Sequence, residues 1–544
     1  MTTLQKSVTA IAAKNHPKNH SKTIQYGTAG FRTVATDLDH VVFRMGVLSV
    51  LRSLKCNCQT IGLMITASHN KEEDNGVKIV DPMGEMLEQS WEELATELAN
   101  VGDDKLDTVI NDIVEKQNID LSKTGSVFVG QDTRPSSDSL ARAALTGIAA
   151  LSGIVKDYGI VTTPMLHFFV TCQNTNEAYG KATADSYIKK ISSAFLKLRG
   201  DTYEKGKYKP EIQFDGANGV GSVIIKDFAK AIGDALKINI NNDRVNELGV
   251  LNKDCGAEYV KTQQKPPKGV AVVANARCVS VDGDADRVVY YYVDADDKFH
   301  LLDGDRIATL VAGYIMEVVK KTGLEVNLGL VQTAYANGSS TAYISEKLNV
   351  PVACVSTGVK NLHRKAVEFD IGIYFEANGH GTITFSDKVK DKLDRELTNP
   401  SSTKSQLAAM KELALLINLI NETVGDALSD MLLVETVLHA RGWNIQDWEN
   451  TYEDLPNRLL KVIVKDRNVV ETTDANRKCT SPAGVQDAID EVVKKFKNGR
   501  SFIRASGTED VVRVYAEADT QENADHLANL VKKIVEEMAG GINQ

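Results

Sequence analysis

The sequence has no apolar run approaching the roughly 20 residues that a membrane-spanning helix needs. Its start, "MTTLQKSVTAIAAKNHPKNHSK", lacks the charged-then-apolar layout of a secretory leader, so a cytosolic location is expected. It also lacks a basic excess: over 544 residues the formal net charge is −10, which argues against a nucleic-acid surface. A small anionic ligand is still allowed if the cations that hold it are gathered in one place. There is no disulfide framework, because the seven cysteines (Cys56, Cys58, Cys172, Cys255, Cys278, Cys354, Cys479) are odd in number and scattered. Cys56 and Cys58 lie close together, but no second cysteine or histidine pair accompanies them as a metal site would require. Neither G-x-x-x-x-G-K-[ST] nor G-x-S-x-G occurs, which removes the P-loop nucleotide and serine-hydrolase readings. No repeat of fixed period is evident.

What is present is an ordinary globular composition, 42% hydrophobic and 25% charged, in a chain long enough for about three to five domains. Residues 126–161 read as a strand ("SVFVG"), a helix with Leu140, Ala144, Ile148 and Leu151 on its apolar face, a stop at Gly153 and a second strand around "DYGIV". That βαβ grammar points to α/β architecture. "EIQFDGANGVG" and "IGIYFEANGHG" repeat the motif of a short apolar strand entering a Gly/Asn/Asp turn, where ligands of open α/β sheets bind. The stretches near 198–210 and 388–406 read as loops. The last segment differs: a helix carrying Val485, Ile489, Val492 and Phe496, strands "SFIRA" and "VVRVYAEA" joined by "SGTED", and a final helix bearing Leu527, Leu530, Val531, Ile534, Val535 and Met538. It reads as a small α+β domain with an exposed strand-joining loop.

Within this frame several segments can carry chemistry. In "SVDGDADRV" the alternating Asp282, Asp284 and Asp286 can place carboxylate oxygens on one hard cation. An EF-hand is excluded, because Arg287 stands at its sixth position and Val293 at its twelfth. An isolated triad of this kind reads equally well as a solvated acidic turn, although Arg287 suits a phosphate that the cation also touches. In "FIRASGTEDVVRVY", Arg504 and Arg513 flank Ser506, Gly507 and Thr508, the donor set of a phosphate site or simply of a solvated hairpin. In "FEANGHG", Glu376, Asn378 and His380 suit sugar hydroxyls or a plain turn. Ser68, in "LMITASHNKEEDNGVKIV", stands at a strand end beside His69 and upstream of Lys78; alone it reads as a turn serine.

The order "YGTAGFR" (26–32), "TASHN", the carboxylate triad with its arginine, "FEANGHG" and "RASGTED" resembles the α-D-phosphohexomutase superfamily, and within it the branch that acts on N-acetylglucosamine phosphate. The matching motifs run from about residue 26 to 513. The resemblance implies four domains around a central cleft, three related mixed-sheet α/β domains and a smaller C-terminal α+β domain. The expected boundaries are 1–185 with the phosphoserine loop, 186–300 with the metal loop, 301–445 with the sugar loop and 446–544 with the phosphate loop. It further implies reversible interconversion of N-acetylglucosamine 6-phosphate and 1-phosphate through a phosphoserine and a 1,6-bisphosphate, which supplies UDP-N-acetylglucosamine synthesis. One Mg²⁺ per chain and a sugar 1,6-bisphosphate primer are the implied cofactors. A sugar phosphate is the implied partner, with no nucleic acid, no membrane and a monomeric chain.

Carried over residue by residue, Ser68 is the phosphoserine and, with Asp282, Asp284 and Asp286, a metal ligand. Arg32, His69, Lys78 and Arg287 match positions that face the transferring phosphate or move protons. Lys78 is the expected general acid/base, provided that nearby cations lower its pKa. Glu376, Ala377, Asn378 and His380 match the sugar loop, and Thr357, Gly358 and Lys360 in "STGVK" another substrate loop. Arg504, Ala505, Ser506, Gly507, Thr508 and Arg513 match the phosphate loop. The glucose and mannose mutases read G-E-M-S-G-H at the sugar loop; the Ala377 and Asn378 found here favour an N-acetylated sugar. A phosphoglucomutase or phosphomannomutase, and a catalytically silent sugar-phosphate binder, are the competing readings.

Overall fold

The computed structural model describes residues 7–27, 29–506 and 510–541. The chain divides into two compact units: residues up to Asp303 with Asn378–Thr382 and Glu412–Ile445, and Gly304–Ala377 with Ile383–Lys411 and the segment from Gln446 onward. The first unit holds two five-stranded sheets, the second a three-stranded sheet and most of a four-stranded one, and the two-stranded sheet lies in the second.

In the first sheet β1 (Phe31–Val34), β2 (Ile61–Ile65), β3 (Asp74–Val80), β4 (Ser126–Gln131) and β5 (Ile154–Ile160) run in the order β1-β3-β2-β4-β5. β2, β4 and β5 are mutually parallel, and β3 lies antiparallel to both β1 and β2. The expected βαβ unit is therefore present, with the helix Ser137–Ala150 between β4 and β5; Leu151 caps that helix instead of continuing it. β2 is buried along its whole length, as its uninterrupted "IGLMI" requires, whereas β5 is an edge on which Ile154 and Ile160 are exposed.

The second sheet, from β6 (Glu211–Asp215), β7 (Lys237–Asn241), β8 (Cys278–Val281), β9 (Val288–Val293) and β10 (Phe299–Leu302), has the order β10-β9-β8-β6-β7. It repeats the plan: a parallel β8-β6-β7 half and an antiparallel β8-β9-β10 half. Both mixed sheets put a functional turn at the point where parallel pairing gives way to antiparallel, between β2 and β3 in one and between β8 and β9 in the other. The third sheet, β11 (Leu328–Thr333), β12 (Val352–Val355), β13 (Ile371–Phe375) and β14 (Gly381–Phe385), has the order β12-β11-β13-β14 with β12, β11 and β13 parallel.

The last sheet joins β15 (Asn457–Ile463), β18 (Arg500–Ala505) and β19 (Val511–Glu517) antiparallel in the order β15-β19-β18; β16 (Glu471–Thr473) and β17 (Lys478–Ser481) form a separate pair. Val462, Ile503, Val512 and Val514 face a core completed by Val485, Ile489, Leu527, Val531 and Val535 from the flanking helices. The small α+β reading holds, except that the first of those helices stops at Val493 and Phe496 packs from the turn beyond it. The loop expected at 388–406 is largely helical, Asp387–Leu397 and then from Lys404. Alternating charges hid a narrow stripe: only Val389 and Leu393, one turn apart, are buried, and Ser386 caps the helix by accepting from the Val389 N–H.

Candidate active site

Directly after β2 the chain turns at "TASHN". Ser68 adopts φ +52°, a left-handed conformation costly for a residue with a Cβ. It is held there because both of its main-chain polar groups are bonded. Its N–H donates to Thr66 Oγ1 (3.0 Å), and its carbonyl accepts from Arg134 (2.9 Å) and from Asn252 (2.9 Å). Ser68 is fully buried, and its hydroxyl donates to Asp282 Oδ2 at 2.6 Å, with His69 Nδ1 at 3.4 Å.

The loop between β8 and β9 supplies the triad. Asp282 Oδ1 accepts from the N–H groups of Asp286 (3.1 Å) and Arg287 (3.2 Å), folding the loop back on itself, while Ala285 takes a positive φ. One oxygen from each of Asp282, Asp284 and Asp286 lies within 4.8 Å of the others, and all three residues are buried. Asp284 Oδ2 accepts from Lys78 (3.0 Å) and Thr163 Oγ1 (2.7 Å), and Asp286 Oδ2 from Lys78 (3.1 Å). Asp284 Oδ1 and Asp286 Oδ1 are buried and, among the described residues, accept no hydrogen bond. Converging hard oxygens with unused lone pairs fit a small divalent cation such as Mg²⁺.

Cations surround this group, as the overall negative charge demanded. Arg32 on β1 lies opposite Gly76 on β3, two residues before Lys78, so the sheet sets Arg32 and Lys78 on one face. Arg287 Nε is 3.9 Å from Asp282 and 3.8 Å from Asp286. Burial raises the Asp282 carboxyl well above the usual range, and its two acidic neighbours add to the effect. Burial pushes Asp286 the same way, but Lys78, His380 and Arg287 outweigh it and hold that carboxyl well below. His69 is held at about 2, first by burial and then by Arg287 and Arg32, so it stays neutral. For Lys78, burial favours the neutral amine, yet Asp284 and Asp286 win and raise its pKa above the ordinary value. This corrects the expectation that neighbouring cations lower it: Arg32 does act in that direction, but two carboxylates at hydrogen-bond distance are stronger.

Of the sugar-loop residues, Asn378 and His380 belong to the first unit with this cluster. Asn378 Oδ1 accepts from the His380 N–H, and His380 Nδ1 stands 3.4 Å from Asp286. Gly379, at φ +86°, packs so closely that a Cβ would lie 1.9 Å from the Val288 carbonyl, which fixes the loop against the start of β9.

In the second unit Glu376 and Ala377 follow β13. Gly358, at φ +125°, opens the helix Val359–Ala366 that carries Lys360; the Thr357 N–H donates to Asn476 Oδ1 at 3.1 Å. Arg504 on β18 and Arg513 on β19 are directly paired across the sheet, and Lys461 on β15 continues the row beside Arg513. Like charges set opposite each other repel, and such a row offers the donors that an anion takes. Arg504 and Arg513 each keep a buried Nε with no hydrogen-bond partner among the described residues. The Ser506 N–H closes the hairpin onto the Val511 carbonyl, and Ala505 ends β18; Gly507 and Thr508 lie outside the described residues.

The sequence does not single out Thr66, Arg134, Thr163, Asn252 or Lys461. "TTP" signals only a helix start, realised with Thr162 as cap. Nothing local announces that Thr163 will reach Asp284 or that Asn252 will reach Ser68.

Family models match nearly end to end: phosphoglucomutase/phosphomannomutase alpha/beta/alpha domain I at residues 33–105 and 104–180, and that family's C-terminal domain at 459–534. Between them, phosphoacetylglucosamine mutase AMG1 domain II matches residues 178–289 and domain III residues 303–443. The phosphoacetylglucosamine mutase of Homo sapiens is 51% identical over 97% of both chains, and that of Arabidopsis thaliana is 46% identical over 95% of this chain and 96% of its own. The N-acetylphosphoglucosamine mutase of Aspergillus fumigatus, solved in complex with GlcNAc-6P and magnesium, superposes with a TM-score of 0.92 at 44% identity, covering 98% of this chain and 99% of the other. A variant of the Aspergillus enzyme has been solved with glucose 1,6-bisphosphate, with a TM-score of 0.91 at 44% identity over 98% of both chains. These matches extend the four-domain phosphohexomutase architecture over the chain, and it belongs to the phosphoacetylglucosamine mutase family.

Proposed function

We propose that the protein is an intramolecular phosphotransferase that interconverts N-acetylglucosamine 6-phosphate and N-acetylglucosamine 1-phosphate. The observation that carries this reading is the buried Ser68 hydroxyl, on left-handed backbone, 2.6 Å from one carboxylate of a buried aspartate triad. Phosphorylated Ser68 gives its phosphoryl group to the free hydroxyl of the bound sugar phosphate. The P–Oγ bond breaks, a P–O bond to the sugar forms, and the sugar's hydroxyl proton balances the serine oxygen. The 1,6-bisphosphate turns round and returns its other phosphoryl group to Ser68, so phosphate is neither gained nor lost.

Asp282, Asp284, Asp286 and the Ser68 phosphate hold one Mg²⁺, which when bound polarises the P–O bond and offsets charge. Arg32 and Arg287 donate to the equatorial phosphate oxygens. Lys78, an ammonium between Asp284 and Asp286, acts as an acid toward the leaving oxygen, and neutral His69, 3.4 Å from Ser68 Oγ, faces the transferring phosphate. Glu376, Ala377, Asn378 and His380, with Thr357, Gly358 and Lys360, recognise the sugar. Arg504, Ala505, Ser506, Gly507, Thr508 and Arg513 hold the phosphate that is not being transferred.

The assigned domains are 1–185, 186–300, 301–445 and 446–544. The names of the relatives, the GlcNAc-6P and magnesium bound by the Aspergillus enzyme, and the glucose 1,6-bisphosphate bound by its variant support the substrate, the cation and the primer. The product feeds UDP-N-acetylglucosamine synthesis in the cytosol, and the chain acts as a monomer. No described helix is long and apolar enough to cross a membrane. Turnover of N-acetylglucosamine 6-phosphate against glucose 6-phosphate, with Mg²⁺ and a bisphosphate primer, tests the reading. Preference for the acetylated sugar is expected; preference for glucose would transfer the chain's activity to the phosphoglucomutase class.

A further inference from the structure

The carbonyl oxygen of Ser68 is a meeting point of three loops. Arg134, in the turn after β4, spends its whole guanidinium on this region: Nη2 donates to the carbonyls of Ser68 and Asn70, Nη1 to those of Lys71 and Asp74, and Nε to Asp132. Asp132 in turn accepts from Thr66 Oγ1, the same atom that accepts the Ser68 N–H. From the loop that follows β7, Asn252 Nδ2 donates to the same two carbonyls, Ser68 (2.9 Å) and Asn70 (2.9 Å). Asn252 is itself in the left-handed region, which Asn tolerates, and its N–H is anchored on the Ala217 carbonyl. Its neighbours Gly249 and Leu251 donate N–H bonds to Glu72 at the far side of the serine turn. Finally, Gly283 of the carboxylate loop packs so closely that a Cβ there would lie 2.5 Å from the Ser68 carbonyl oxygen.

Resting on the phosphoserine reading above, we propose that Arg134 and Asn252 are positioning residues: they clamp the Ser68 carbonyl from the loops after β4 and β7 and hold the left-handed turn that aims Oγ at Asp282. Neither contacts the reacting atoms. With the N–H held by Thr66 and the carbonyl held twice, rotation of Ser68 into a relaxed backbone conformation costs buried hydrogen bonds at both ends. Such rotation would carry Oγ away from the carboxylates, and a misplacement of about 1 Å costs on the order of 100-fold in rate. Asn252 also ties the phosphoserine turn to the sheet that carries the triad, so that Ser68 and Asp282 keep register even though 214 positions separate them.

Asn252→Ala, at a partly buried site, is the primary test, with Asn252→Asp, which cannot donate, and Arg134→Lys as companions. For Asn252→Ala we expect kcat to fall about tenfold with KM changed less than about twofold, Asn252→Asp to fall further, and metal-free protein to show faster amide exchange in peptides spanning 66–74 while β4 stays protected. Unchanged kcat and unchanged exchange in Asn252→Ala would overturn the proposal. So would a loss of activity that merely follows the unfolded fraction and recovers on cooling. If Arg134→Lys does not fold, Asn252→Ala alone decides. A wild-type protein without sugar-phosphate mutase activity would overturn the phosphoserine reading instead, and the exchange experiment would still report on the clamp.

Discussion

Every polar group of Ser68 itself already has a protein partner, whereas the two arginines paired on the last sheet each keep a donor unused among the described residues. The serine's N–H, carbonyl and hydroxyl are each bonded, and Lys78 is shared between two aspartates. On the β18–β19 face, Arg504 and Arg513 stand directly opposite each other with buried Nε atoms that no described residue accepts. The first arrangement is preorganised: its geometry is fixed before substrate arrives, as transfer of a phosphoryl group in line requires. The second sets two guanidiniums side by side with donors that no described residue uses, which on the proposed reading suits a site that must take a phosphate from either end of a sugar.

The two regions should therefore fail differently. Ser68→Ala should abolish turnover, at least roughly 10³-fold, with little change in melting temperature, because on the proposed reading the residue is the group carrier; appreciable steady-state activity in that variant would remove the contrast at its root. Next in size, Asp284→Asn should weaken Mg²⁺ binding, measured by titration calorimetry, by more than the roughly 10- to 100-fold typical of outer-shell partners. Stripping the metal from wild-type protein with a chelator should stop turnover and leave the fold intact, since Lys78 and Thr163 still bond the triad. Arg504→Ala loses a charged hydrogen bond worth about 1.5–3 kcal/mol. Its KM should rise roughly 10- to 100-fold in both directions, while Ser68 can still be phosphorylated. Inorganic phosphate should raise the melting temperature of wild-type protein and do so much less in Arg504→Ala. The smallest effect belongs to Lys461→Ala: an exposed cation at the end of the row should change KM by no more than about fivefold and fade with added salt. A Lys461 effect as large as that of Arg504 would mean that the phosphate sits nearer β15.

Much of this was legible in the chain. Each motif is a contiguous run whose residue types allow a chemistry, alternating aspartates a hard cation and arginines around a glycine turn a phosphate, and it was their order along one chain that chose these over plain turns. The βαβ unit at 126–161 and the strands that enter the two Gly/Asn/Asp turns followed from period and turn residues, the closing α+β segment from its 3.6-residue apolar stripe, and the mixed-sheet plan from the resemblance alone. What sequence could not show was which separate runs meet. Asn252 and Thr163 look like any loop residue until folding brings them to Ser68 and Asp284. His380, read with the sugar loop, stands against Asp286. The direction of the Lys78 shift also needed geometry, because it depends on whether carboxylates or guanidiniums come closer. The helix at Asp387–Leu397 was missed because its buried face is two residues wide amid dense charge.

The central claim is that Ser68 carries the phosphoryl group between the two positions of the sugar. Peptide-resolved mass spectrometry after incubation with a sugar 1,6-bisphosphate and Mg²⁺, followed by a chase with N-acetylglucosamine 6-phosphate, tests it directly. Phosphate on the peptide containing Ser68, lost on the chase at a rate no slower than turnover, is the predicted result. Turnover that proceeds with no phosphate ever detectable on Ser68 would contradict the account.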